Sequence, residues 1–362
     1  MGRVTQLQLY MLFSQFLFTS MIGYLINKLV HISNYMTWLA LLLGSVGGLT
    51  ITYLAYRLAI KRPTQFFVHY GKEIVGKWVH YPLVMIIIFS FVLNAAVILR
   101  SLTEFIIEIY LPKTPDWAIV TLFGICTAYA VRFGIQSIFR SAQGIFFASI
   151  TGILVIPLLL GNQMNFSIAS ALITHFNVKE IWNGSYFVIS IFGEMSLIVF
   201  LFPYFERSHK TFKSLVWASV TSVFIILSNV IPMILIFGTS LISNLTYPEL
   251  ELTRFINVGT FFRNFDALLI TSWMVSIFIK VSLLLYVAAI GLAHVFSLKS
   301  HKPFSLSITA LMIGLSLYMA GSVTELNELI NHGLLTLMIF AELIPVIYLV
   351  VDKMRSNFTK QG

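Results

Sequence analysis

Two charged residues, Lys280 and Glu194, fall in the middle of long apolar segments of the sequence. A charged side chain at the centre of a membrane-spanning helix costs on the order of 2.5–3.5 kcal/mol, so it normally faces a cavity or a partner of opposite charge. The Lys280 ammonium can neutralise a ligand carboxylate, take the place of a coupling cation, or pair with Glu194. Long stretches of predicted helix on both sides argue against a lysine that snorkels to the interface. We therefore predict a binding or pairing role for both residues.

Further polar side chains lie on the predicted third helix. Arg100 and Glu104 are spaced i,i+4, so we expect a structural ion pair towards the outer end of that helix. Ser90 and Asn94 lie deeper and either line a cavity or hold neighbouring helices together. Elsewhere no spacing of histidines indicates a metal site, and no nucleophile lies near a base and an orienting group. The sequence therefore predicts no enzyme, no cofactor and no metal site.

The composition requires lipid as the solvent for much of the surface. Hydrophobic residues make up 58% of the 362 residues and charged residues only 10%, whereas a soluble domain carries roughly 25% charged residues. The single cysteine, Cys126, excludes a disulfide framework. The net charge of +9 is distributed as membrane topology requires, so we expect no nucleic-acid partner.

Apolar runs of about 20 residues, the length that spans a bilayer, recur along the chain. The predicted helices cover residues 7–30, 35–58, 80–107, 117–132, 141–161, 184–205, 212–242, 264–297, 304–321 and 332–352. Residues 132–140 are either a cytoplasmic turn or a continuation of helix. The first run is too long for a signal peptide and has no cleavage site after it, so we expect it to be retained. We predict an all-α membrane protein of about ten transmembrane helices in one integral membrane domain.

Basic residues set the predicted orientation, because cytoplasmic loops carry the excess of lysine and arginine. With a cytoplasmic N-terminus, sixteen of the 23 basic residues lie inside and two, Arg100 and Lys280, lie in the membrane. The five outside are Lys28, Lys113, Lys179, Arg254 and Arg263. We therefore predict that both termini are cytoplasmic, which requires an even number of spans.

Two long amphipathic connections, 57–79 and 244–263, occupy corresponding places in the two halves of the chain. One is predicted inside and the other outside, which is the arrangement of an inverted-topology repeat. The alternative is a coincidence between two long loops. We place the first repeat of five helices at about 7–161 and the second at about 184–352.

In inverted-repeat folds the first helix of each repeat is broken near the midplane, where freed N–H groups and the half-helix dipole face the ligand. Residues 19–24 of helix 1 and 190–194 of helix 6 combine a glycine with small hydroxyl residues at similar depth. These glycines either allow such a break or only permit close helix packing. Such breaks would place Met21, Ile22, Gly23 and Gly193 at the ligand, which Glu194 joins because of its buried charge alone.

The segments 247–256 and 261–267, followed by Trp273 and Lys280, carry a recognisable pattern. Together with Gly76-Lys77-Trp78, Arg100, Glu104, Gly193-Glu194 and Pro203-Tyr204, this pattern resembles the B subunit of spore nutrient-germinant receptors. The resemblance extends over essentially the whole chain.

That family is similar to amino-acid permeases of the APC superfamily, which have a LeuT-like five-plus-five inverted repeat. The resemblance implies a ligand pocket between helices 1, 3, 6 and 8. By position it places around the ligand Gly23, Ser90, Asn94, Phe192, Lys280 and Leu284. Family members often have a second glycine where this chain has Leu25, so the resemblance implies either a different ligand or a pocket reshaped by Tyr24.

The resemblance also implies a function: a subunit that senses an amino acid or another small nutrient in the spore inner membrane. Its implied partners are a receptor A subunit, a lipoprotein C subunit and membrane lipid. The alternative is a proton- or cation-coupled amino-acid transporter in which Lys280 or Glu194 takes part in coupling. Both functions predict the same fold and pocket, so the sequence does not separate them.

Overall fold

The computed structural model describes residues 3–254 and 265–358, and the structural statements below concern those residues. Eight of their helical stretches are long and apolar enough to cross a membrane, or nine with the bent pair Lys302–Tyr318 and Val323–Leu329. The first stretch, Gln6–Ala59, has 54 residues, and at about 1.5 Å per residue it is more than twice as long as a bilayer is thick. The chain reverses inside it at Asn34, whose φ is 43°. It therefore forms two spans, and the predicted fold class of about ten helices is confirmed.

The membrane helices are helix 1 (Gln6–Ser20, Met21–Leu25 and Ile26–Ser33), helix 2 (Thr37–Ala59), helix 3 (Lys77–Ile109), helix 4 (Asp116–Phe133), helix 5 (Ile135–Leu159), helix 6 (Val178–Phe192, Gly193–Leu197 and Ile198–Leu201), helix 7 (Thr211–Asn244), helix 8 (Phe265–Val295), helix 9 (Lys302–Tyr318) and helix 10 (Leu335–Phe358). Short helices occupy the connections at Phe67–Val75, Pro248–Arg254 and Val323–Leu329. The first two lie in the two long amphipathic connections singled out in the sequence. Part of the second connection, with Arg263 and much of the 247–267 pattern, lies outside the described residues.

The predicted starts of helices 5 and 6 are wrong for local reasons. Helix 5 begins at Ile135, immediately after Gly134, whose φ of 94° turns the chain without a loop. Arg140 is therefore part of the helix, although its polar neighbours look like a loop in the sequence. Helix 6 begins at Val178, because the Asn177 side chain accepts the first free backbone N–H groups.

The two halves of the chain cross the membrane in opposite directions. Val4, just before helix 1, exchanges backbone hydrogen bonds of 2.9 and 3.0 Å with Tyr204 and Glu206, just after helix 6. Helix 1 therefore begins on the membrane side where helix 6 ends. Helix packing follows the same relation between the two halves. Helix 1 packs on helix 7, and their counterparts in the other half, helices 6 and 2, pack on each other. Helix 3 packs on its counterpart helix 8, and helix 4 packs on its counterpart helix 9. The predicted inverted repeat accounts for this pairing, while its bounds at 7–161 and 184–352 stay a prediction.

Glycines on helix 2 bring that helix close to helix 6. A Cβ on Gly44 would lie 2.5 Å from the Cβ of Val188, and one on Gly48 would lie 2.5 Å from the Cβ of Phe192. No larger residue fits either position without moving helix 6. Helix 2 thus supports helix 6 at the level where its geometry changes.

Candidate functional site

Helices 1 and 6 both lose regular α-helical geometry near mid-membrane. Residues Met21–Leu25 form a π-helical turn, and residues Gly193–Leu197 form a 3₁₀ segment. These segments overlap the two predicted breaks, although neither helix unwinds fully. Irregular helical turns of this kind are frequent at functional sites, because they leave backbone groups without their usual partners.

An ion pair between Lys280 of helix 8 and Glu194 of helix 6 lies at the centre of the molecule. The Lys280 Nζ is 2.7 Å from the Glu194 Oε2, a contact ion pair whose angles are not those of a hydrogen bond. Lys280 is 0% exposed and Glu194 only 6%. Of the three roles considered for Lys280, pairing is the one that this structure contains.

Helices 3 and 1 complete the surroundings of the pair. The Asn94 Nδ2 donates a 2.9 Å hydrogen bond to the second carboxylate oxygen of Glu194. The Lys280 ammonium lies 4.2 Å from the centre of the Phe16 ring, within the range of a cation–π interaction. Side chains from helices 1, 3, 6 and 8 therefore meet at one charge pair, and the four helices are those that the family resemblance implies.

A small polar cavity, which we call the inner chamber, lies beside this pair. Glu194 and Asn94 line it together with Ser20, Tyr24 and Ser190, and apolar residues of helix 10 close it. Its volume is about 30 Å³, room for about two water molecules. An amino acid therefore enters only if the surrounding helices move apart.

A second cavity, the vestibule, lies between the inner chamber and the side of the membrane opposite the N-terminus. Tyr24 and Ile330 line both cavities and separate them. At the outer rim the Lys28 Nζ donates a 3.2 Å hydrogen bond to the Asn327 carbonyl oxygen, which ties helix 1 to the segment before helix 10. The vestibule and the chamber thus form an interrupted path to the ion pair.

A third cavity of about 80 Å³, the side cavity, is separate and mostly apolar. Ile22, Gly23 and Trp273 line it, together with Glu249 of the short helix Pro248–Arg254. A Cβ on Gly23 would collide with the Trp273 indole, whose Nε1 donates a 3.1 Å hydrogen bond to the Thr19 carbonyl oxygen. Burial raises the pKa of the Glu249 carboxyl well above its usual value. Gly23 therefore permits close helix packing as well as lying in the irregular turn.

The predicted site residues fall into three groups. Asn94, Glu194 and Lys280 come together at the ion pair, whereas Ile22 and Gly23 face the side cavity. The others, which are buried and line none of these three cavities, are Met21, Ser90, Phe192, Gly193 and Leu284.

Hydrogen bonds and packing account for several members of the third group. The Ser90 hydroxyl donates to the Ile87 carbonyl oxygen at 2.7 Å, which stabilises helix 3 itself. Phe192 packs on Gly48 of helix 2, and Gly193 lies against the side chain of Glu342. The expected Arg100–Glu104 ion pair is confirmed, and Asp116 joins it 3.2 Å from the arginine.

Sequence reasoning missed Glu342 of helix 10. Its carboxyl is 3% exposed and lies directly against Gly193, close to the ion pair. The signal was available, because Glu342 falls in the middle of the predicted helix 332–352, where the argument applied to Lys280 and Glu194 holds equally. Ser20 was also missed as a lining residue, since it carries no charge.

Comparisons with known proteins agree with the sequence pattern. Residues 3–324 match a family described as spore germination protein. The chain is 24% identical over 337 residues to spore germination protein YndE of Bacillus subtilis, covering 89% of this chain and 88% of that protein. It is 26% identical over 308 residues to spore germination protein KB of the same organism, covering 82% and 80%.

The fold is similar to that of a Na⁺-coupled sialic acid symporter solved in a substrate-bound, outward-open state. The TM-score is 0.63 at 10% sequence identity, and the match covers 93% of this chain and 78% of the symporter. At this identity the likeness concerns the fold alone, and it confirms the predicted LeuT-like architecture. The family match over most of its length shows that this chain belongs to the family of spore germination proteins.

Proposed function

We propose that this chain is the nutrient-sensing subunit of a spore germinant receptor, and that its ligand is an amino acid bound at the Asn94–Glu194–Lys280 cluster. The observation that carries the proposal is the buried ion pair between helices 6 and 8, beside a chamber at the irregular part of helix 6. Its two charges are complementary to the two charges of an amino acid.

Binding exchanges the internal ion pair for two pairs with the ligand. The ligand carboxylate takes the place of Glu194 at the Lys280 ammonium, and the ligand ammonium binds the Glu194 carboxylate. A zwitterion adds no net charge to the site, so each buried charge keeps a partner. Asn94, which already donates to Glu194, fixes the orientation of that carboxylate.

The signal in this proposal is a movement of helices. The inner chamber is too small for an amino acid, so the ligand binds a conformation in which helices 6 and 8 lie farther apart. Nutrient thereby shifts the population towards the open conformation. Gly193, Phe192 and the irregular turn at Met21–Leu25 lie where helices 6 and 1 would bend. Ser90 and Leu284 stay predicted wall residues of the opened pocket.

Family membership supports the rest of the proposed assembly. We place the chain in the spore inner membrane with both termini cytoplasmic, in accord with its basic loops. The vestibule then faces outwards and receives the nutrient. Receptor A and C subunits read the helix movement.

A germination assay with strains that lack either this subunit or its companions tests the proposal. We expect each deletion to abolish the response to the same amino acid. Asn94→Ala should weaken that response at least about tenfold in nutrient concentration, since a hydrogen bond to a charged group contributes about 1.5–3 kcal/mol. The matched control is Asn229→Ala, a buried asparagine that lines neither the inner chamber nor the vestibule.

Reconstitution separates sensing from transport. The purified chain alone in liposomes should bind a radiolabelled amino acid without accumulating it. Accumulation driven by a proton or sodium gradient, and independent of the companion subunits, would instead establish a coupled transporter and refute the receptor-only function.

A further inference from the structure

Glu342 is a buried acid without a hydrogen-bond partner. Its side chain is 3% exposed, and among the described residues neither carboxyl oxygen makes a hydrogen bond. The carboxyl lies against Gly193, at the point where helix 6 changes from α to 3₁₀ geometry. Helix 10 thus brings a third charged group to the ion-pair cluster.

The cluster contains one acid too many to be neutral when all of its groups are ionised. Glu342 lies within electrostatic range of both Glu194 and Lys280. The Lys280 ammonium balances one carboxylate, and its contact with Glu194 shows which one. An ionised Glu342 would leave a net negative charge in the membrane interior without a hydrogen bond, and a group in that position takes up a proton instead.

Among the residues that the structure describes, no other charged group acts on Glu342. Helix 6 presents Glu194 and helix 8 presents Lys280, as stated above. Helix 2 has no titratable side chain between Thr37 and Thr52, and helix 3 has none between Pro82 and Leu99. The adjoining surface of helix 2 is formed by glycine, which brings its backbone close to Gly193.

We infer that Glu342 is a proton-binding site, and that its neutral acid form accompanies the closed Glu194–Lys280 ion pair. A proton fits this position better than a metal cation for two reasons. A metal cation needs several oxygen ligands at once, and the oxygens of Glu194 are already occupied by Lys280 and Asn94. The Lys280 ammonium also repels a second cation.

The site gives the cluster a second neutral arrangement. When the proton of Glu342 passes to Glu194, the Glu342 carboxylate takes the place of Glu194 at the Lys280 ammonium. The cluster then still holds one proton and one ion pair, so no buried charge loses its partner. The protonation state of Glu342 on helix 10 is thereby coupled to the contact between Glu194 of helix 6 and Lys280 of helix 8. The inference depends on the charges of the cluster and does not require that the cluster bind a nutrient.

Infrared difference spectroscopy on the full chain in lipid nanodiscs at neutral pH tests this site. We expect the wild-type protein to show the C=O stretch of a protonated carboxylic acid, with the shift that transfer to D₂O produces. Glu342→Gln should lose this band, whereas Glu249→Gln, which removes the other buried acid whose pKa burial raises, should keep it. Glu73→Gln, the same change at an exposed position on the helix Phe67–Val75, should keep it. If Glu342→Gln does not accumulate, Glu342→Asp should keep the band at a shifted frequency.

Three results would overturn the inference. The band could persist unchanged in Glu342→Gln, or keep its frequency in Glu342→Asp. It could be absent from the wild-type protein at neutral pH. Absence of the band together with a sodium or potassium requirement for stability, abolished by Glu342→Gln, would assign the site to a metal cation. None of these results bears on whether the chain binds an amino acid, so the two proposals fail separately.

Discussion

Removing the Lys280 ammonium alone should destabilise the protein more than removing the Lys280 and Glu194 charges together. In Lys280→Met the side chain keeps most of its length and loses its charge, so Glu194 remains buried with one hydrogen bond from Asn94. Truncating one partner of a buried ion pair costs about 3–5 kcal/mol, because the remaining charge is not compensated. Both side chains are almost completely buried here, so we expect Lys280→Met to lower the free energy of unfolding by about 3–5 kcal/mol.

Glu194→Gln should be the milder of the two single changes. The Lys280 ammonium then retains the Phe16 ring at 4.2 Å, a contact that contributes about 0.5–2 kcal/mol. We expect a loss of roughly 2–4 kcal/mol. The double variant Glu194→Gln/Lys280→Met removes both charges and keeps an amide that accepts from Asn94. It should lie within about 1 kcal/mol of the wild-type protein, since apolar replacement of a buried pair is often neutral.

Unfolding of the purified protein by SDS titration in mixed micelles, followed by circular dichroism, measures these differences. Lys179→Met, an exposed lysine near the start of helix 6, is the control and should change stability by less than about 0.5 kcal/mol. A Lys280→Met protein as stable as the wild type would refute the account of a buried, mutually dependent pair. A double variant no more stable than the less stable of the two single variants would also refute the account of a mutually dependent pair.

Two further predictions concern packing and pH. Gly48→Leu should lower the amount of protein in the membrane fraction, because the leucine side chain would collide with helix 6 at a cost of about 1–3 kcal/mol or more. The control Gly144→Leu has open space around it and should leave the amount unchanged. Equal amounts of the two variant proteins would contradict the close contact between helices 2 and 6. Burial lowers the pKa of His301, whose Nε2 makes a 3.0 Å hydrogen bond to the Val131 carbonyl oxygen. The unfolded chain therefore binds the proton more tightly, so this contribution to stability is complete above about pH 6.5 and is lost as the pH falls below that value. His301→Gln should flatten the dependence of the melting temperature on pH in that range. An unchanged slope would show that His301 does not cause this pH dependence.

Much of the architecture could be predicted because lipid imposes simple requirements on a sequence. The length of apolar runs gives the spans, and charges inside those runs mark the centre, as Lys280 and Glu194 do. Local turn chemistry was harder to recognise. Gly134 reverses the chain in one residue, so helix 5 includes polar residues that hydropathy assigns to a loop.

The site was predictable at the level of charge but not of orientation. Gly23 was placed correctly in an irregular turn, yet it faces Trp273 and the side cavity. A π-helical turn shifts the faces of helix 1, and no residue count anticipates that shift. Phe192 likewise faces helix 2, because glycines there admit its side chain. Tertiary packing, which a single sequence does not contain, decided both cases.

Equilibrium binding of a radiolabelled amino acid to the purified chain tests the central claim most directly. The claim predicts saturable binding that other zwitterionic amino acids compete for. Amino-acid amides and N-acetyl amino acids, which each lack one of the two charges, should compete at least about tenfold less well. If the blocked forms compete equally, or if sugars bind and no amino acid does, the Glu194–Lys280 pair is not where the nutrient is recognised.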